Sequence, residues 1–254
     1  MEPKCIFLGT GTSQGVPVIG CRCAVCTSTD SKDQRLRTSA YMEYMGQRLL
    51  IDAGPDFRQQ LLRAHIDNID AILLTHQHKD HIAGLDDVRA FNYINGKAID
   101  IYAEERVQEA LKVEFSYAFQ KNRYPGIPEF SLHTIDEKPF MIGDVPIVPI
   151  RVWHAQLPVL GFRIADLAYI TDANFIDDTE FDKLSGLSVL VINAVTRKPH
   201  VSHFNLDEAI AVAQRVKAKQ TYLTHLSHRM GLYAALKKEL PAGIALAYDG
   251  LRIQ

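Results

Sequence analysis

The apolar run Ala71-Ile-Leu-Leu-Thr75 leads directly into His76-Gln-His-Lys-Asp-His81, so a short buried segment ends in four side chains able to hold a metal. A run of this length and composition reads as a strand. The spacing lets His76 and His78 reach one ion from a turn, while Asp80 and His81 point at a second ion beside it. One histidine after a strand is ordinarily a hydrogen-bonded structural residue; four ligand types within six residues are not explained that way.

Three further runs end in the same manner. VPIVPIRVW is followed by His154, LAYIT by Asp172 and TYLT by His225. Strand ends are where a sheet brings distant positions to one point. His76, His78, His154 and a shared Asp172 would satisfy one ion; Asp80, His81, His225 and the same Asp172 would satisfy the other. The strand pattern extends along the chain: CIFLG, YMEYM, RLLID, AILLT, IDIYA, VPIVPI, LGFRI, LAYIT, VLVIN, TYLT and IALAYDGLRI. Helical periodicity appears over Asp56 to Ala64, Gly84 to Ile94, Glu104 to Phe119, Asp207 to Val216 and Leu232 to Glu239. In the fourth of these Asn205 is placed to cap, and Leu206, Ile210, Ala213 and Val216 form an inward stripe. In each half of the chain hairpins mix with strand–helix alternation, which predicts an α+β sandwich of two sheets with helices outside. The whole of residues 1–254 reads as one domain, with the stretch from about 104 to 130, around Pro125, Gly126 and Pro128, as an insertion that covers the site.

GCRCAVC sets Cys21, Cys23 and Cys26 within six residues, and TYLT ends in H-L-S-H. If His225 serves the paired ions, His228 is free to turn toward the cysteines. Cys21, Cys23, Cys26 and His228 then make a closed Cys₃His set, the signature of structural zinc, in a loop at 20–27. Cys5 lies apart in an apolar run and reads as a buried thiol. The N-terminal residues lack the pattern of a secretory leader, and no run is long enough to span a bilayer, so the expected location is the cytoplasm, where thiols stay reduced, with no membrane partner. The formal charge of -2, with both signs interspersed, gives no footprint of the kind duplex binding requires, which leaves a nucleic-acid partner unsupported but not excluded. Gly9-Thr-Gly-Thr-Ser-Gln-Gly15 follows a strand but lacks dinucleotide-loop spacing, and reads as a tight turn under the site whose amides could face an anion.

H-x-H-x-D-H with a later His, Asp and His resembles the metallo-β-lactamase superfamily. The resemblance implies an αββα four-layer sandwich with a two-metal site at one edge of the sheets. Asp52-Ala53-Gly54 matches a turn that buttresses the metal loop in that family. FLGTGTSQGVPVIGCRCAVC, the histidine loop, LAYITD and THLSH together look like the PhnP-like phosphoribosyl cyclic phosphodiesterases, over nearly the whole chain. What this implies is hydrolysis of a small phosphodiester, cyclic or nucleotide-like, by a metal-bridging hydroxide, with Asp80 in the catalytic set and His203, in P-H-V-S-H-F-N, as general acid. His200 competes for that role or supports the loop. Zinc, manganese or iron suits the paired site, manganese being favoured in some members, and zinc suits the cysteine set. Lys79, Arg89, Arg197 and Arg229 lie near the motifs and within reach of a second phosphate, but each reads first as a solvated surface charge, and none is entered as a site. A transfer-RNA 3′-processing nuclease shares the ligands but carries a gripping arm absent here. A secreted β-lactamase would need a leader, and an iron oxygenase leaves the cysteines unexplained. A non-catalytic, metal-stabilised binder like the quinone-cofactor biosynthesis relative is the alternative from another class. A homodimer would suit the fold.

Overall fold

The computed structural model describes residues 2–120 and 125–254. Their strands are β1 (Lys4–Gly9), β2 (Ser39–Tyr44), β3 (Gln47–Ile51), β4 (Ala71–Leu73), β5 (Ile99–Ala103), β6 (Phe130–Thr134), β7 (Phe140–Ile142), β8 (Val145–His154), β9 (Leu157–Ile164), β10 (Leu167–Tyr169), β11 (Phe175–Ile176), β12 (Val189–Asn193), β13 (Gln220–Thr224), β14 (Ile244–Leu246) and β15 (Arg252–Ile253). One sheet runs β15-β1-β2-β3-β4-β5-β6 and the other β11-β8-β9-β10-β12-β13-β14, with β7 beside β8. Each sheet begins with antiparallel pairs and continues in parallel, through β3-β4-β5-β6 in the first and β10-β12-β13-β14 in the second. Parallel neighbours need crossovers, which supply the helices.

Those helices are α1 (Phe57–Ala64), α2 (Lys79–Ile82), α3 (Arg89–Asn95), α4 (Glu105–Glu114), α5 (Leu206–Val216) and α6 (Tyr233–Leu236). Side chains alternate across a strand, so each sheet has an inward and an outward apolar face. Phe7, Met42, Leu49 and Leu73 of the first sheet meet Leu160, Phe162, Tyr169 and Val191 of the second between the layers. Leu50, Ile72 and Ile101 face outward onto Phe57 and Leu61 of α1 and Val107 and Leu111 of α4. Leu190, Ile192 and Leu223 do the same toward Leu206, Ala209 and Ala213 of α5. Helix, sheet, sheet and helix form the expected four layers, with parallel strands ending along one rim. Among the described residues no helix is long and apolar enough to cross a membrane.

Several local expectations need correction. IALAYDGLRI divides into β14 and β15, which lie in different sheets. The Leu232 to Glu239 periodicity yields only the short α6, and Gly84 to Ile94 starts as a 3-10 turn, Leu85–Val88, before α3. The stretch at 104–130 opens with α4, a crossover between β5 and β6 whose Val107 and Leu111 are fully buried, so that part is framework of the sandwich. Residues 121–124 of the same stretch lie outside the described residues. At α5, Asn205 and Glu208 form a reciprocal capping box, with Ala209 joining the buried stripe.

Candidate metal centres and active site

The ligand types gather where the parallel strands end. Asp80, His81, Asp172 and His225 each place a ligand atom within 4.8 Å of the others. His81 Nε2 lies 3.2 Å from both Asp80 and Asp172 carboxylate oxygens, and His225 Nε2 lies 3.3 Å from Asp172. Asp52, Asp172 and His225 all have left-handed backbone (φ +61°, +54° and +54°), which turns each chain sharply out of its strand. The second close group is His154, Asp172 and His203. It departs from the expected set, since His203 completes it in place of His76 and His78. Those two stand alongside by ring contact: His76–His78 centroids are 4.5 Å apart, and His78–His154 5.2 Å.

One buried carboxylate orients the motif. Asp52 Oδ1 accepts from the Thr75 amide at 2.9 Å, Thr75 Oγ1 lies 2.9 Å from Oδ2, and His81 Nδ1 sits 2.6 Å from Oδ2. Thr75 Oγ1 also lies 2.9 Å from His76 Nδ1. With both Nδ1 atoms engaged, the Nε2 lone pairs of His76 and His81 face the centre. His154 is aligned in the same way, its Nδ1 donating to the Ser202 carbonyl at 2.7 Å. The Asp52-Ala53-Gly54 turn braces this loop from behind. Ala53 N donates to His81 O at 2.8 Å, and a methyl group on Gly54 would lie 2.0 Å from Asp80 O. From the side, Arg106 of α4 holds Gln77 of the motif at 2.5 Å and also bonds the Pro158 carbonyl of β9, opposite Trp153 of β8. Arg106 thereby links the turn bearing His76 and His78 to the hairpin bearing His154.

Burial works against charge throughout this centre; it prevails at Asp52, His76 and His154, whereas around His81, Asp172 and Asp80 the neighbouring groups overcome it. Asp172, Asp80 and Asp52 hold His81 well above the usual imidazole range, a negative field at Nε2 that a cation would satisfy in place of the proton. His225 and His81 hold Asp172 well below the carboxylate range, and Asp80 is lowered likewise. His203 behaves in the opposite way: burial, reinforced by His225, holds it down to about 3.

These residues fit divalent cations on two counts. His76 Nε2, His81 Nε2 and both ring nitrogens of His225 are buried without a hydrogen-bond partner, although buried polar atoms are nearly always paired. Two carboxylates, Asp52 and Asp172, are also buried, with the half-buried Asp80 beside Asp172, at a cost that cations beside them would offset. The cysteine set passes a stricter test. Cys21, Cys23 and Cys26 Sγ lie 3.3, 3.4 and 3.5 Å from His228 Nδ1. A tetrahedral zinc with ordinary Zn–S and Zn–N bonds separates S and N by about 3.6 Å. The Val18 and Cys26 amides donate to Cys26 and Cys23 sulfurs at 3.4 and 3.5 Å, as bonds to thiolates do. Cys5 is fully buried between the sheets, where burial pushes its thiol up to about 12.

The profile of the family described as the β-lactamase superfamily domain matches residues 47–226. The chain belongs to the β-lactamase superfamily. It is 41% identical to an octanoyltransferase of Porphyromonas gingivalis, over 98% of this chain and 51% of that protein. It is 29% identical to a ribonuclease Z of Pyrobaculum islandicum over 52% of this chain and 43% of that one. The chain thus spans about half the length of the curated relatives it matches. A crystal structure described as a new diphosphatase from the PhnP family is 42% identical and superposes with a TM-score of 0.92, covering 100% of this chain and 97% of the other.

The candidate ligand types are legible in the sequence because each group comes at the end of a strand: His76 to His81 after β4, His154 at the end of β8, Asp172 after β10 and His225 after β13. The motifs do not mark Thr75, Arg106 or Ser202. Thr75 carried a local signal in its place between strand and motif; Arg106 and Ser202 act across the fold, where sequence spacing gives none.

Proposed function

We propose that this protein is a metal-dependent hydrolase of small phosphodiesters. The observation that carries the reading is the position of His203. Its ring lies 4.4 Å from that of His154 and 4.8 Å from that of His225, centroid to centroid, and its buried Nδ1, 3.8 Å from Asp172, has no hydrogen-bond partner. A proton carrier at the edge of a cation site suits an ester whose alkoxide must leave. Divalent cations at Asp80, His81, Asp172 and His225 and at His76, His78 and His154 would supply Lewis acidity, activating a water and offsetting charge on phosphoryl oxygens.

The chain's own groups do the rest. Asp52 and Thr75 keep the histidine lone pairs aimed inward, and Asp80 and Asp172 hold the charge that retains the cations. Water loses a proton to solvent as its oxygen bonds to phosphorus, the P–O bond to the leaving group breaks, and His203 gives its proton to the departing oxygen. A phosphodiester anion beside the ring offsets the burial that keeps His203 unprotonated, so the proton is loaded with the substrate. Backbone hydrogen bonds on either side fix the loop bearing His203, with Phe204 N donating to Ala173 O at 2.6 Å and Val195 N to Phe204 O at 3.0 Å. The cysteine set would take one structural zinc. The PhnP-family diphosphatase likeness supports phosphoryl chemistry, and the ribonuclease Z likeness is consistent with it.

The test is turnover of cyclic and linear phosphodiesters, with phosphomonoesters as controls, by protein reconstituted with zinc, manganese or iron. Diester hydrolysis with at least one ion is expected; inertness with every ion removes the reading and favours a binding protein. His203→Ala should keep its metal content and lose about 10²–10⁴-fold in kcat, and normal turnover would remove the assigned role.

A further inference from the structure

Two buried charged groups take no part in either centre. Arg35 is 6% exposed and the Asp249 side chain 3%. A charge out of water is costly unless hydrogen bonds hold it, so its partners show what it fixes. Arg35 donates through one nitrogen to Thr10 Oγ1 and to the Ala247 carbonyl, each at 2.7 Å. Thr10 Oγ1 donates in turn to Asp249 Oδ1 at 2.7 Å, while Asp249 Oδ2 accepts from the Leu36 amide at 2.7 Å. The Thr10 hydroxyl is thus engaged as acceptor and as donor, which fixes the residue that follows β1.

The main chain beside that hydroxyl holds the segment between the two centres. Thr10 O accepts from Leu226 N at 2.8 Å, and Gly11 pairs in parallel with Leu226. Leu226 is buried and lies between His225 of the paired site and His228 of the cysteine set. Its amide belongs to the planar peptide that follows His225, so the bond to Thr10 sets the rotation of the chain where φ is +54°. His76, His81 and His154 are aimed through Nδ1, by Thr75, Asp52 and Ser202 respectively. The His225 ring has no hydrogen-bond partner among the described residues at either nitrogen, so its aim comes from the backbone. Ser227, next along, caps the 3-10 turn His228–Met230, and a shift at Leu226 is therefore passed to His228 as well.

We propose that Thr10, fixed by Arg35 and Asp249, is a positioning residue for His225 and His228, and that the segment it holds couples the two centres, so that zinc at the cysteine set raises the affinity of the paired site for cations. This rests on the metal-dependent reading of the paired site and adds a control over its loading. By linkage the coupling is reciprocal, and filling the paired site tightens zinc. Thr10, Arg35 and Asp249 take no part in the bond changes.

Manganese titration, followed by the electron paramagnetic resonance signal of the free ion, reads the paired site, because thiolates select zinc over manganese. Protein carrying about one equivalent of zinc in the cysteine set should bind manganese about 5-fold or more tighter than metal-free protein. Cys23→Ser should lose that gain. Thr10→Val keeps the side-chain shape but removes both hydrogen bonds; it should bind manganese about 5-fold or more weakly and cease to respond to zinc, whereas Thr10→Ser should stay within about twofold of the unsubstituted protein. A purely structural role would lower the melting temperature of metal-free Thr10→Val and leave its manganese affinity unchanged, a result that would overturn the proposal. Equal manganese affinity with and without zinc in the unsubstituted protein would overturn it even if Thr10→Val does not fold, and would leave the metal sites and the phosphodiesterase reading standing. If no ion beyond the cysteine-bound zinc is taken up when manganese, iron or further zinc is offered, the paired centre itself is refuted and the coupling falls with it.

Discussion

Asp52→Asn isolates the orienting carboxylate with almost no change of shape. Asn tolerates the left-handed φ of +61° as well as Asp does, so the backbone is not strained. Asp52 is fully buried and accepts on both oxygens, from Thr75 and from His81 at 2.6 Å. An amide can meet only one of these demands. If its oxygen stays with Thr75, its NH₂ faces His81 Nδ1 and drives the imidazole proton to Nε2, where the cation needs a lone pair. If it flips, two donors face each other at Thr75, and an unpaired buried donor costs about 1–3 kcal/mol. Loss of such a supporting partner lowers metal affinity about 10–100-fold, equivalent to about 1.4–2.8 kcal/mol. The assay is chelator-competition titration of the paired site, with total zinc by elemental analysis and folding by circular dichroism. The cysteine-bound equivalent should remain and Thr75→Ser should behave normally. Affinity within about twofold of the unsubstituted protein would refute the argument that Asp52 sets the histidine tautomers.

Cys23→Ser should release about one equivalent of zinc, and unchanged metal content would remove the Cys₃His assignment. Zinc binding there must displace thiol protons: burial holds Cys26 up at about 11, so apparent affinity should rise with pH between about 6 and 8 as protons compete less. A flat profile would contradict this. Gly54→Ala sets a methyl group 2.0 Å from Asp80 O, so the motif loop must shift. Metal content at the paired site should fall together with thermal stability, and a variant with unchanged metal affinity would show that the turn does not brace the loop.

The sequence revealed most about this centre where a ligand directly follows its strand. His76, Asp172 and His225 each follow an apolar run whose burial could be read locally, and a parallel sheet brings such ends to one rim. The same locality explains what was hidden. β7 and β11 are only three and two residues long, and β6 gains its pairing from β5 across α4, so their own patterns stay weak. IALAYDGLRI is continuous in apolar character, yet Asp249 is buried inside it, accepting from Leu36 N and Thr10 Oγ1 at 2.7 Å, and the chain changes sheets there. His203 could be picked out by its motif, but its closeness to His154 and Asp172 depends on Ser202 and Ala173 tying separate loops together. Arg106 reaches Gln77 from a helix after the next strand, a distance over which residue spacing carries no information.

Both candidate centres straddle the seam between the two sheets. His76, His78, Asp80, His81 and the three cysteines belong to the first half of the chain, while His154, Asp172, His203, His225 and His228 come from the second. Cations bound there would therefore be cross-links between halves already joined by the apolar interface, the β1–β15 pairing and polar contacts such as Arg106 to the Pro158 carbonyl. A chain nicked between β6 and β7 would still have a reason to stay whole, because neither fragment could complete a coordination shell without the other.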